Sequence, residues 1–125
     1  MLVFEAPIDL LSFIELFPKN WQQHNYLSLG GVSGKALQQF LSERPDVERV
    51  FLCLDADKAG EDACKRLAAL LPDTVSVTRI QPCMKDWNDV LVHRAEIPNR
   101  NYFKSIVLKE PSKPETVKII RMSDV

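Results

Sequence analysis

The stretch "VFLCLDADKAGEDA", residues 50–63, sets five apolar residues directly before two aspartates, Asp55 and Asp57, with Gly60 close behind. "VFLCL" (50–54) shows no polar alternation, as a strand covered on both faces of a parallel sheet requires. After it, Ala63, Leu67, Leu70 and Leu71 recur at helical spacing over residues 59–71, so the stretch reads as strand, tight turn, helix. Gly60 lets the chain turn into that helix. The turn carries both aspartates to the carboxyl end of the strand, where open α/β sheets bind their ligands.

The same pattern extends to either side. "LVF" (2–4) reads as a short buried strand, and Pro7 suits the first position of a helix running to about Phe17. That helix is apolar nearly all round. Its polar residues Asp9, Ser12 and Glu15 recur every third position, which predicts one narrow polar stripe on an otherwise buried cylinder. "YLSL" (26–29) reads as a strand, "GG" as a turn and Ser33 as the cap of a helix with Ala36, Leu37, Phe40 and Leu41 on one face. "TVSVTRI" (74–80) alternates as an edge strand does, and Asp86 can cap a last helix reaching about His93. Four strands, each followed by a helix, predict an α/β fold: a four-stranded, mainly parallel, Rossmann-like sheet with right-handed crossovers and helices on both faces. This domain is expected to span residues 1–95. Residues 96–125 read as a C-terminal extension or linker leading to a further domain, with a short helix over 102–108, a Lys/Pro/Ser linker over 109–114 and a strand "VKIIR".

At 125 residues, 46% hydrophobic and 26% charged, the chain has the composition of one soluble globular domain. No apolar run approaches the ~18 residues of a membrane helix, and Glu5 and Asp9 stand where a signal peptide needs basic and then apolar residues. No membrane partner and a cytoplasmic location are expected. Cys53, Cys64 and Cys83 are odd in number and lack CxxC spacing, which predicts reduced thiols. His24 and His93 read as surface histidines. The net charge of -1 divides unevenly: residues 1–93 hold nine Lys/Arg against thirteen Asp/Glu, and residues 94–125 hold seven against four. A basic stripe for duplex DNA is absent, so nucleic acid must be held by local patches, metal ions or another domain.

Glu5, Asp55, Asp57 and Asp86 all fall at strand carboxyl ends. Carboxylates converging in a partly dry site repel one another unless a cation neutralises them, and an all-oxygen set suits Mg²⁺ or Mn²⁺. Taken singly, Asp55 or Asp57 is more often a helix cap than a ligand, and Asp9 is as readily a first-turn acid favoured by the helix dipole as a functional one. Lys58 and Lys85 stand beside the aspartates, where they either contact phosphate or remain solvated. Three lookalikes fail. In "GGVSGK" (30–35) Leu29 occupies the first glycine of a phosphate-binding loop and Ala36 its Ser/Thr. "DADKAG" lacks the Thr or Val of the haloacid-dehalogenase motif, and a receiver domain has no use for Glu5.

In order and spacing, "VFEAPIDLLSF", "LSLGG", "FLCLDADKAGEDA" and "KDWNDVL" closely resemble the Toprim domain of bacterial primases and topoisomerases. The likeness covers residues 1 to about 93 and is greatest to primase-like Toprim domains of plasmids and integrated mobile elements. It implies Glu5 as general acid/base with Asp9 as a second catalytic acid, and Mg²⁺ held by Glu5, Asp55, Asp57 and Asp86. Primases often carry another acid where this chain has Asn88; Asp89, next door, is the substitute, and one or two metals remain open. The resemblance implies nucleotidyl transfer in DNA primer synthesis, with DNA or RNA and nucleoside triphosphates as partners, although an isolated Toprim domain need not be active by itself. "RMSDV" resembles the segment leading into RecA-like helicase domains, another expected partner within a longer protein. Topoisomerase action is set aside, since neither Tyr26 nor Tyr102 sits in a recognisable partner domain. A Toprim nuclease using the same acids, and a non-catalytic module docking nucleic acid or protein, are the alternatives.

Overall fold

The computed structural model describes residues 1–30 and 33–112. Five strands form one sheet in the order β2-β1-β3-β4-β5: β1 Leu2–Phe4, β2 Tyr26–Ser28, β3 Arg49–Leu52, β4 Ser76–Pro82 and β5 Phe103–Lys109. The first four are parallel and β5 runs antiparallel to β4. Helices α1 (Pro7–Leu16), α2 (Lys35–Glu43), α3 (Lys58–Leu70) and α4 (Trp87–Val92) alternate with the parallel strands. No helix among the described residues is long and apolar enough to cross a membrane.

The period of two along each strand divides the core between two faces. Val3, Val50, Leu52, Leu54 and Val77 point to one side, where they meet Leu37 and Leu41 of α2 and Ala63, Cys64 and Leu67 of α3. Phe4, Cys53 and Ile80 point to the other, against Leu10 and Phe13 of α1 and Trp87 and Val90 of α4. A strand contributing alternately to two hydrophobic layers has no polar side, which explains the uninterrupted "VFLCL". Phe13 stacks edge-on against Trp87 at 4.9 Å between ring centroids, and the Trp87 indole N–H donates to the Cys53 carbonyl oxygen at 3.0 Å. That hydrogen bond ties α4 to the end of β3.

Several expectations need correction. The sheet has five strands, because residues expected as a short helix over 102–108 form β5 and add the edge strand. β4 is therefore internal, between β3 and β5. In α1 two of the three stripe residues are buried, Asp9 at 4% and Ser12 at 2% exposed, whereas Glu15 is exposed and so are Ile8, at 55%, and Leu11, at 61%. The cause lies in α4, against which α1 packs. The Asn88 main-chain N–H donates to Asp9 Oδ1 at 3.1 Å, and Ser12 Oγ lies 3.4 Å from Asn88 Oδ1. Ala36 and Leu70 are exposed rather than inward. Gly34, not Ser33, occupies the cap position of α2, with Ser33 Oγ accepting weakly from the Lys35 N–H at 3.4 Å. The strand "VKIIR" and the segment "RMSDV" lie outside the described residues.

Candidate active site

Parallel strands end on one side of the sheet, and β1 and β3 are neighbours there although β2 intervenes in the chain. The chain leaves β1 toward β2 and returns on the other side to form β3, so the switch point of the sheet lies between β1 and β3. Glu5 follows β1 immediately and Asp55 follows β3. The two meet: the Asp55 main-chain N–H points at Glu5 Oε1 at 3.4 Å. Asp55 Oδ1 is buried and has no hydrogen-bond partner. Such an orphaned carboxylate oxygen is costly unless something positive reaches it.

The surrounding charges make this worse. Burial first, then the Glu5, Asp9, Asp86 and Asp57 carboxylates, push the Asp55 carboxyl up to about 7. Burial also raises Glu5, opposed by the Asp55 N–H and by the Arg79 guanidinium and reinforced by Asp57 and Asp9. Asp9 is raised by burial, opposed by the Asn88 N–H, with Asp86 and Asp89 adding repulsion.

Asp57 and Asp86 each cap a helix. Asp57 Oδ1 accepts from the Gly60 N–H at 2.7 Å at the start of α3, and Asp86 Oδ1 accepts from the Asp89 N–H at 2.8 Å at the start of α4. A carboxylate has a second oxygen, so capping and ion binding are compatible at one residue. Among the described residues, no three His, Cys, Asp or Glu side chains stand together as a finished metal cage. The chemistry of the set nonetheless fits a hard divalent cation: every donor is an oxygen, one of them is buried without a partner, and the acids repel one another.

A Toprim-like family profile matches residues 2–91, from β1 through nearly all of α4. The chain belongs to the Toprim-like family. "Uncharacterized protein MG010 homolog" of Mycoplasma pneumoniae is 34% identical over 71 residues, which cover 54% of this chain and 34% of that protein. The primase fragment of the bacteriophage T7 primase-helicase superposes with a TM-score of 0.63 at 24% identity, over 80% of this chain and 41% of that one. At that identity the likeness speaks for the fold. The Toprim-like chain thus spans well under half the length of either protein.

The remaining expected residues divide. Asn88 faces α1 through Ser12 and Asp9, so it joins two helices and does not enter the cluster. Asp89 stands in the first turn of α4, its charge felt at Asp9. Lys58 is exposed and pairs with Asp62 at 3.2 Å along its own helix, a solvated arrangement. Lys85 is exposed beside the site, and its carbonyl accepts from the Ala56 N–H at 2.7 Å, clamping the Asp55–Asp57 turn to the loop before α4.

Arg79 joins the site although no sequence motif includes it. It lies on β4, 3% exposed, with Nη2 donating to the Asp55 carbonyl oxygen at 3.1 Å, Nη1 to Cys64 Sγ at 2.9 Å and Nε to Gln81 Oε1 at 3.4 Å. A buried cation thus stands beneath the acidic turn and holds its backbone. The signal was present: in "TVSVTRI" Arg79 shares its face with the buried Val75 and Val77. Gly60 also has a different role from the one expected. It lies inside α3, buried, where a methyl group would collide with the Asp55 carbonyl oxygen, so close approach is what requires glycine. Beyond Ala56 a groove of about 600 Å³ opens, with Lys85 and Lys104 in its walls.

Proposed function

We propose that this Toprim-like domain is the catalytic part of a primase-type nucleotidyltransferase, joining nucleotides on a DNA template with Mg²⁺, or Mn²⁺ in its place. The observation that carries the reading is Asp55: a buried carboxylate oxygen without a partner, at the sheet's switch point, in a carboxyl pushed up to about 7 by burial first and then by its acidic neighbours. A group so placed is short of a positive charge at neutral pH. Asp55, Asp57 and Asp86, with Glu5, would hold the ion. When bound, Mg²⁺ neutralises phosphate oxygens and the charge that develops on them in an in-line displacement.

The chain's own residues do the rest. Glu5 moves a proton to or from the attacking or leaving hydroxyl, a task suited by its raised carboxyl. Asp9, held by the Asn88 N–H, adds negative charge behind Asp55 and keeps α1 registered on α4. Arg79 fixes the carbonyl of Asp55 and so the direction in which the turn points. The family match supports a nucleic-acid enzyme; primer synthesis, and a place within a longer cytoplasmic protein that includes a helicase, extend that reading by analogy with the primase-helicase whose fragment shares the fold.

Calorimetric titration of Mn²⁺ into the chain, beside Asp55→Asn and Asp57→Asn, tests the metal site. Weak binding, about 0.1 to a few millimolar as sparse carboxylate sites give, is expected in the parent and lost in both variants. Template-directed incorporation of labelled nucleoside triphosphates then tests the reaction. Hydrolysis of the template without incorporation assigns a nuclease instead, and absence of metal binding even with nucleotide and short DNA present leaves a docking module.

A further inference from the structure

The groove beyond Ala56 is built by the part of the chain that the acidic motifs do not include. Because β5 runs antiparallel to β4, its first residues return to the carboxyl end of the sheet: Phe103 pairs with Pro82 and Lys104 with Gln81. The Cys83 N–H donates to the Tyr102 carbonyl oxygen at 2.8 Å, closing the two strands at the rim. The groove between this rim and the loop before α4 is lined by Ala56, Gln81, Lys85, Asn101, Phe103 and Lys104, with Cys83 also exposed in its wall. Ala56 lies between Asp55 and Asp57 in the chain, so the groove begins where the acidic turn ends.

We propose that this groove is a subsite for the phosphate backbone of a single-stranded nucleic acid, which it leads to the acidic turn. The inference rests on the function proposed above for the acidic turn and names the surface that would deliver its substrate. Its lining contains no carboxylate, whereas two lysines and two amides face it. Among the described residues, neither Lys85 nor Lys104 is engaged in an ion pair. Lysines left free in a concave surface attract a polyanion, and each phosphate they neutralise releases counterions. Phe103, 40% exposed in the wall, offers a ring on which an unpaired base can stack, which favours a single strand over a duplex. The arrangement separates two tasks by charge: lysines hold the strand along the groove, and the acids beyond Ala56 take the one phosphate to be transferred.

Cys83 supplies the test, being the exposed cysteine of three. With the full chain in chelator and low salt, alkylation of Cys83 by a maleimide is timed with and without an oligothymidylate of about twelve nucleotides. Affinity for the same labelled oligonucleotide is followed by anisotropy across a salt series. The strand is expected to slow alkylation at least threefold. Lys85→Ala and Lys104→Ala are each expected to weaken binding about 3- to 10-fold and to reduce the salt slope by about 0.7, the single-strand value per phosphate. Lys65→Ala, on α3, is the control expected to change neither. Unaltered alkylation, or unaltered affinity and slope in both groove variants, overturns the proposal. So does equal protection by a nucleoside triphosphate alone, which would make the groove a mononucleotide pocket. Because these readings are taken without metal, they separate from the catalytic reading. Protection without nucleotide incorporation would sink primer synthesis and keep the groove, and incorporation without protection would do the reverse.

Discussion

Replacing Asp55 by asparagine removes a charge while keeping the side chain's shape, and the structure sets how large the effect on stability should be. The carboxyl stands at about 7 against an ordinary value of 3.8. Unscreened, that difference corresponds to about 4 kcal/mol against the ionised folded state. The residue is only half-buried, and solvent screening reduces the figure to about 1–2 kcal/mol. Between pH 3.8 and about 7 the folded chain keeps a proton that the unfolded chain releases. This contribution to stability is therefore fully present below the unfolded value and is lost as pH rises through the folded one. In chelator at pH 8, Asp55→Asn is expected to be the more stable protein by about 1–2 kcal/mol, roughly 3–10 °C in melting temperature for a chain of this size. Its melting temperature should also fall less than the parent's between pH 4 and 7. Added Mn²⁺ at ten times its dissociation constant should then stabilise the parent by about 1.4 kcal/mol and leave the variant where it was. Thermal melts followed by circular dichroism over this pH range decide the matter. Equal melting temperatures at pH 8, or parallel pH profiles, would refute the reasoning that Asp55 is held against burial and the repulsion of its neighbours.

Three further outcomes follow from the same turn. Asp57→Ala should cost about 1 kcal/mol in urea denaturation by removing the cap on Gly60, whereas Asp57→Asn should stay within about 0.5 kcal/mol yet lose Mn²⁺ affinity; a matching stability loss in both would mean the charge, not the cap, matters. Gly60→Ala should destabilise by about 3 kcal/mol or more, since the helix and the Asp55 carbonyl cannot both keep their places, and a loss below 1 kcal/mol would contradict that packing. Arg79→Met should cost about 2–3 kcal/mol at pH 8 and distinctly less at pH 4, below the value of about 7 to which the Asp55 carboxyl is pushed; a pH-independent loss would reduce Arg79 to a packing residue.

The parallel strands were legible because burial on both faces writes itself as continuous apolar runs, and the acids because they follow those runs. β5 was not. Its residues are almost all exposed, so no period of two is imposed on "FKSIVLK", and only β-branched and aromatic content speaks for a strand. β4 alternates as expected yet lies inside the sheet, because β5 joins its edge through backbone hydrogen bonds, which leave no mark on the side-chain pattern. The burial of Asp9 and Ser12 in α1 depends on groups that polarity alone does not disclose: the Asn88 N–H of α4 donates to Asp9, and Ser12 Oγ donates to the Ile8 carbonyl oxygen of its own helix at 2.7 Å while lying 3.4 Å from Asn88 Oδ1. Arg79 was overlooked for a related reason, since an arginine in a strand is ordinarily solvated and only its neighbours Val75 and Val77 disclose its direction.

The ties that frame the site run largely through the main chain. The Ala56 N–H reaches the Lys85 carbonyl, and Arg79 and the Trp87 indole grip the carbonyls of Asp55 and Cys53. A backbone group is the same whatever side chain it bears. Positions 56 and 85 can therefore exchange residues without loosening the frame, so the groove mouth is free to drift toward new strands or nucleotides while the acids keep their places. Selection on substrate and selection on chemistry can act on adjacent residues of one turn almost independently.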